Sequence, residues 1–365
     1  MIINPEKNRK KAVVAISGGV DSTVAALICR QKNFSVTGVT LYLHNRGKGF
    51  NGSNVEENAS VVCERLGIKH EVIDAKDLFE DSVLKKSWDL YNSGRTPNPC
   101  TICNRHIKFG VLLDYVRKKN ADILVTGHHT RIIKTPDYIT IQKGDDTNKD
   151  QSYFLYDLTP EQLSRIYMPI GEMKKDEVRK IAEDEGFDFS NCKESQDTCF
   201  AVQGENFAES LRNQFNASYI SGNFVSPDGK ILGKHNGIHN YTIGQRRGLG
   251  IALGAPAFVV NIDSSNGDII VSTDEKLLFS NFCRVKNVNW LIPLEILLKK
   301  QNSTGRSFMC DVKVRYRTKP VKAEVFIKDG DIEKIVFTTP QRAVTKGQAA
   351  VLYYNNLLIG GGIIT

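Results

Sequence analysis

The chain has 365 residues, 41% hydrophobic and 25% charged, a balance that excludes a disordered polyelectrolyte and, by length, points to two or three cores rather than one. No stretch approaches the ~20 apolar residues of a membrane helix, and the opening MIINPEKNRK lacks the apolar core of a signal peptide, so a cytoplasmic protein with no membrane partner is expected. Lysine and arginine exceed the acids by 49 to 41, a net charge of +8, which favours a polyanionic partner without establishing one.

From Lys11 to Gly127, short apolar runs alternate with helical patterns. AVVAI at 12–16, VTGVTLYL at 36–43, KHEVID at 69–74 and DILVTG at 122–127 read as strands. Val55, Ala59, Val62 and Leu66 form one helical apolar stripe, and Ile107, Val111, Leu112 and Tyr115 another. Strands separated by helices predict a parallel sheet covered on both faces. RIIKTPDYITIQK then reads as a hairpin turning at Pro136-Asp137, followed by helices to about Phe215. Between Ser221 and Ala255 glycine becomes frequent and a further hairpin is expected at Pro227-Asp228-Gly229. The last segments, CDVKVRYR, AEVFIKDGDIEKIVFTT and AAVLYYNNLLIGGGIIT, alternate like strands and turn at Asp329-Gly330 and Asn355-Asn356. The expected architecture is an α/β parallel-sheet nucleotide-binding domain over 1–215, a small, mostly β middle domain over 216–278, and a C-terminal β-barrel over 279–365.

The string AISGGVDS at 15–22 follows the first strand and opens a helix. Its glycines let backbone N–H groups and a helix N-terminus face an anion, which makes it a candidate phosphate site. An ordinary strand-to-helix turn is the plainer alternative, but the full string is far more specific than two adjacent glycines. No lysine follows, so it is not the kinase and GTPase loop.

Eight cysteines are too sparse for a secreted disulfide scaffold. Cys29, Cys63, Cys283 and Cys310 sit inside apolar periodic segments and read as small buried hydrophobes. GRTPNPCTICNRHIKF is different: it places Cys100 and Cys103 at the entrance of a helix, where the dipole and Arg105, His106 and Lys108 favour a thiolate. Half of a zinc site completed by Cys192 and Cys199 is the structural alternative. Cys199, in SQDTCF, would alone be read as a core cysteine beside Phe200.

The loop resembles that of the PP-loop ATP pyrophosphatase superfamily. Taken in order, ISGGVDS, RTPNPCTICNRHIKF, TGHHTR, KDQSYFLYDL, ESQDTCF, YTIGQRRGLGI and the closing RYR and GGGIIT resemble the tRNA-specific 2-thiouridylases over essentially the whole chain. The resemblance implies ATP and Mg2+ as cofactors and, as substrate, the first anticodon uridine of tRNAs for lysine, glutamate and glutamine. The C2 oxygen would be adenylated, and sulfur would then displace AMP. It further implies that Cys199 receives sulfur as a persulfide from a sulfur-relay or cysteine desulfurase protein, and that Cys103 releases it while forming a disulfide with Cys199.

By the same resemblance Ala15, Ile16, Ser17, Gly18, Gly19, Val20, Asp21, Ser22, Leu41 and Gly127 touch ATP, with Asp21 a candidate magnesium partner. Asn98, Pro99 and Cys100 would lie against the target base, and His128, Lys149, Asp150, Gln151, Arg315, Tyr316 and Gln348 would contact tRNA. Each of these, taken alone, also reads as plain surface. GQRRGL at 244–249 reads as a basic loop suited to phosphates. One departure from the family pattern is Cys100, where some members carry an aspartate with an acid/base role. Three cysteines, Cys100, Cys103 and Cys199, suit a [4Fe–4S] cluster with one open iron as an alternative sulfur carrier. A PP-loop ligase or amidotransferase acting on a small metabolite explains the loop but not the cysteines, and a purely RNA-binding relative does not explain the intact loop.

Overall fold

The computed structural model describes residues 9–44, 55–190, 206–300 and 306–365. The chain divides into two compact units that interleave in sequence. One comprises Met1–Ser82, Cys100–Gln203 and Asn355–Ile359; the other Val83–Pro99, Gly204–Tyr354 and Gly360–Thr365.

In the first unit, β1 (Lys11–Ala15), α1 (Val20–Gln31), β2 (Ser35–Tyr42), α2 (Val55–Leu66), β3 (Lys69–Asp74) and β4 (Ile123–Val125) come in chain order. A hairpin of β5 (Thr130–Lys134) and β6 (Ile139–Lys143) follows, then β7 (Ile166–Tyr167). The sheet runs β3-β2-β1-β4-β7 and every pairing is parallel. β1 is central, and its AVVA run is continuous because such a strand is covered on both faces. α1 buries every residue from Ser22 to Cys29, with Asp21 in its first turn and Arg30 in its last, each charge opposing the dipole end beside it. Its apolar face shares a core with Ala59, Val62 and Leu66 of α2. The chain passes from β1 to β2 and β3 on one side, and β4 lies on the other. In such sheets ligands settle outside the carboxyl ends of the strands, where the order reverses. Here that place is beyond β1 and β4.

The expected β5–β6 hairpin is present, closed by Thr135 N–H donating to Tyr138 O at 3.0 Å. β6 also takes Leu357 and Leu358 as partners of Gln142 and Ile141.

The second unit holds two sheets. β8 (Gly222–Val225), β9 (Ile231–His235), β10 (Phe258–Asp263) and β11 (Asp268–Ser272) order as β10-β11-β8-β9 around Phe224, Val259, Ile269 and Val271. The β8–β9 turn closes at Gly229, whose φ of 87° suits glycine. β12 (Phe279–Cys283), β13 (Val285–Trp290), β14 (Ser307–Lys313), β15 (Val321–Lys328), β16 (Asp331–Arg342), β17 (Ala349–Tyr354) and β18 (Leu357–Ile364) follow. Their order is β12-β16-β15-β14-β17-β18, with β13 on β18. Both predicted hairpin turns have paired positive φ, 53° and 80° at Asp329-Gly330 and 49° and 65° at Asn355-Asn356, the mirror-image turn that matches strand twist. The expected strand CDVKVRYR stops early: β14 ends at Lys313 and Arg315, Tyr316 and Arg317 lie in a turn.

Candidate active site

The phosphate loop lies where β1 ends. Gly19 caps α1 in an extended conformation with no side-chain cap, leaving the first amides of the helix directed outward. Gly18 has φ 75°, and a Cβ there would lie 2.6 Å from Asn58 Cβ and 3.0 Å from Ala59 N, so both conformation and the approach of α2 demand glycine. Ser22 Oγ accepts from Ser17 N at 3.2 Å and donates to Gly19 O at 2.9 Å, and Thr23 Oγ1 donates to the same carbonyl at 3.0 Å. The loop is thus shaped by its own hydroxyls. Ile16 is fastened behind it, with its N–H on Val39 O at 2.9 Å and its carbonyl accepting from buried Thr40 Oγ1 at 2.8 Å. Gly127 closes the other side: a Cβ there would stand 2.6 Å from Asp21 C and 2.8 Å from Ser22 N. Sequence position alone could not reveal that β4 delivers Gly127 against the loop.

Asp21 does not stand open. Lys175 Nζ lies 2.7 Å from both of its carboxylate oxygens, and His129 Nε2 donates to Oδ1 at 3.1 Å. Burial opposes ionisation, but the His129 hydrogen bond and the Lys175 ammonium outweigh it and hold the Asp21 carboxyl below the usual carboxylate range. Neither Lys175 nor His129 was singled out from the sequence. The only signal for His129 was its place in TGHHTR, where the reading chose its neighbour.

The two cysteines lie where the sequence placed them. A helical turn begins at Pro99 and runs through Cys103, and Pro at a first helical position costs no hydrogen bond. The chain continues as a wide π-helical segment over Asn104–Val111 and a regular helix over Leu112–Lys118. Uncommon as runs, π-helical turns concentrate at functional sites. Cys103 is buried at 7% exposure and Cys100 is half-buried. The segment is anchored by Asn104 Nδ2 donating to Phe154 O at 3.0 Å and by Gln162 Nε2 donating to Arg105 O at 3.1 Å. Arg105 donates to Asp157 O, so its charge serves anchoring as well as potential. Cys199 and Cys192 lie outside the described residues. The four cysteines read as structural are all buried, and burial raises Cys29 to about 12, Cys63 to about 11 and Cys283 to about 12, with Cys310 pushed up further.

The description tRNA methyl transferase HUP domain fits residues 10–203, tRNA methyl transferase PRC-barrel domain 209–273, and aminomethyltransferase β-barrel domain 280–364. A tRNA-specific 2-thiouridylase of Clostridium botulinum is 42% identical over 352 residues, covering 96% of this chain and 97% of that protein. This chain belongs to the tRNA-specific 2-thiouridylase family. Relatives from Clostridium acetobutylicum and Clostridium tetani, carrying the same description, are each 38% identical, covering 97% and 98% of this chain and 99% and 98% of their own lengths. The fold is accordingly an α/β parallel-sheet domain followed by a PRC-barrel and a C-terminal β-barrel. Among the described residues no helix is long and apolar enough to cross a membrane.

Residues expected from the 2-thiouridylase resemblance to contact tRNA fall into distinct places. In the first unit, Asp150 is buried and accepts from Gly144 N, Ser152 N and Ser152 Oγ at 3.1, 3.2 and 2.7 Å. Gln151 Oε1 accepts from His129 N at 3.0 Å. Both side chains therefore shape the loop that carries His129, whatever else they touch. His128 stacks on Phe109 with ring centroids 5.5 Å apart and pairs with Thr126 Oγ1 at 2.9 Å. Burial, with Lys108 nearby, pushes its pKa down to about 3. It is a neutral hydrogen-bonding group and not a cation for phosphate. In the second unit, Gln348 Nε2 donates to Thr96 O and Pro97 O at 3.1 and 2.8 Å, fixing the strand of chain that leads to Asn98 and Pro99. Arg315 donates to Ile243 O at 2.9 Å and to Thr345 Oγ1, tying the YTIGQRR loop to the last sheet, and Tyr316 lies under Lys313 Nζ at 5.1 Å.

Proposed function

We infer that the protein is an ATP-dependent tRNA uridine 2-sulfurtransferase that makes 2-thiouridine at the wobble position of tRNAs for lysine, glutamate and glutamine. The carrying observation is the outward-facing amide cradle of Gly18–Ser22 at the reversal point of a parallel sheet, in the same unit as a two-cysteine helix start. Near-full-length identity to tRNA-specific 2-thiouridylases supports the substrate. A three-domain division at 1–215, 216–278 and 279–365 has the same order as the matched family domains, whose first match ends at 203 and second begins at 209.

ATP fits the loop: the α1 amides are donors for the pyrophosphate end, the Ser17 and Ser22 hydroxyls shape the loop by bonding to each other and to Gly19 O, and no side chain fills the Gly18, Gly19 and Gly127 positions. Bound ATP supplies the adenylyl group that turns the C2 oxygen into a leaving group. Magnesium fits less simply, because the carboxylate expected to hold it, Asp21, already carries the Lys175 ammonium.

Sulfur reaches the base through cysteines. In the persulfide route the terminal sulfur of a Cys199 persulfide bonds to C2 and AMP departs with the former C2 oxygen. The Cys103 thiolate then attacks Cys199 Sγ, the S–S bond to the transferred sulfur breaks, and the pair ends as a disulfide with the thione left on the base. A separate protein, a relay or cysteine desulfurase, recharges Cys199 after reduction. The burial of Cys103 keeps water from the adenylate during this exchange.

The test is nucleoside mass spectrometry of unmodified glutamate tRNA incubated anaerobically with ATP, magnesium, a cysteine desulfurase with cysteine, and a thiol reductant, using metal-free and iron–sulfur-reconstituted protein. Equal 2-thiouridine from both supports the thiol route. Product from reconstituted protein alone assigns Cys100, Cys103 and Cys199 to a [4Fe–4S] cluster. No product from either sinks the thiolation reading.

A further inference from the structure

We propose that Lys175 is the positioning residue of the phosphate loop, a buried ammonium that holds Asp21 where a metal ion was expected. The proposal rests on the reading of this loop as the ATP site.

Lys175 is 7% exposed, and its Nζ takes both Asp21 oxygens at 2.7 Å. A carboxylate has few lone pairs to spare after such a bidentate contact, and His129 Nε2 uses another at 3.1 Å. A divalent cation bound to the same carboxylate would stand within a few ångströms of a buried like charge, which is strongly unfavourable where water is scarce.

The surrounding chain is built to deliver this lysine. Lys175 opens the helix Lys175–Asp184, and its backbone N–H donates to Asp146 Oδ2 at 3.1 Å. The turn before it presses on β5, where a Cβ at Gly171 would strike Thr130 O; Gly144, just after β6, packs as closely on the residue before β5, a Cβ there lying 2.5 Å from His129 O. His129 is itself held from both sides by Gln151, accepting at Oε1 from its N–H at 3.0 Å and donating N–H to its carbonyl at 3.3 Å. Asp21 sits in the first turn of α1, one residue before the Ser22 hydroxyl that shapes the loop. Through Asp21, the Lys175 and His129 contacts fix the rotation of the α1 first turn, and with it the direction of the amides that receive phosphate.

The test uses full-length protein carrying Lys175→Met, Lys175→Arg, Asp21→Asn, or Asp21→Asn with Lys175→Met. Thermal melting is measured without nucleotide, and tRNA-dependent AMP formation, with a cysteine desulfurase and cysteine as sulfur source, is titrated with ATP and with free Mg2+. Lys175→Met is expected to melt lower by about 5 °C, and the double variant to recover at least half of that loss, because no half-buried carboxylate is left without its ammonium partner. Lys175→Met should raise KM for ATP about tenfold with a smaller change in kcat, and Lys175→Arg should restore part of it. Asp21→Asn, which loses the same tether, should also raise KM for ATP, but at saturating ATP its half-saturating Mg2+ concentration should stay within about twofold of the parent's, since a metal ligand contributes far more to affinity than that. Either additive melting losses in the double variant or a tenfold rise in half-saturating Mg2+ in Asp21→Asn overturns the proposal. If the parent forms no AMP, the ATP reading has failed, and the melting comparison alone still decides whether Lys175 holds Asp21.

Discussion

Replacing Gly127 by alanine probes the phosphate loop from the strand that supports it. The added methyl would stand 2.6 Å from Asp21 C, 2.7 Å from Asp21 O and 2.8 Å from Ser22 N. Carbon contacts are comfortable at about 3.5–4.0 Å, so the loop and the β4 end must part by about 1 Å. The clashing atoms are backbone, so no rotamer change relieves them. Overpacking of this kind costs about 1–3 kcal/mol, while a displacement of about 1 Å at a reacting group costs up to about a hundredfold in rate. The expected result is a modest loss in thermal melting with a large loss in 2-thiouridine formation and a raised KM for ATP. Gly229→Ala is the control: its φ of 87° imposes strain, but nothing lies within 4 Å of the new Cβ. It should lose about 1 kcal/mol and leave KM for ATP unchanged. A Gly127→Ala protein with the parent's KM and rate would refute the placement of ATP against β4.

Timed alkylation at pH 8, read by peptide mass spectrometry, should label half-buried Cys100 before Cys29, Cys63 and Cys283, whose burial lifts them to about 12, 11 and 12; early labelling of those three would contradict their placement. His128 gives a signed pH effect. Its folded pKa of about 3 lies below the ordinary 6.5, so the unfolded chain takes up a proton first, and stability falls as pH drops from about 6.5 towards 3. His128→Gln should flatten that part of the pH–melting curve, and parallel curves for parent and variant would count against a neutral, half-buried imidazole. Gln348→Leu removes the donor to Thr96 O and Pro97 O, and melting should fall by the equivalent of about 1–2 kcal/mol; an unchanged melting temperature would show those carbonyls to be solvated.

Much of the fold was legible because its signals are local. KHEVID at 69–74 is β3 residue for residue, the hairpins at Pro136-Asp137 and Pro227-Asp228-Gly229 are present, and the two positive-φ turns carry residues that tolerate that conformation. Pattern and turn chemistry act over a few residues, so one sequence displays them. The thiol helix was equally visible, since proline, cysteine spacing and the following apolar stripe are contiguous.

What the sequence by itself determined is the family, the order of elements, and the chemical types gathered at the loop and the cysteine motif. Tertiary structure alone decided the partners. Asp21 lies 108 residues from His129 and 154 from Lys175, and neither distance leaves a trace in local pattern. Folding also gave Asp150, Gln151, Arg315 and Gln348, expected from the resemblance to contact RNA, hydrogen-bond partners inside the protein that the sequence does not show. A polar residue advertises only that it needs a partner, and long-range packing chooses which one.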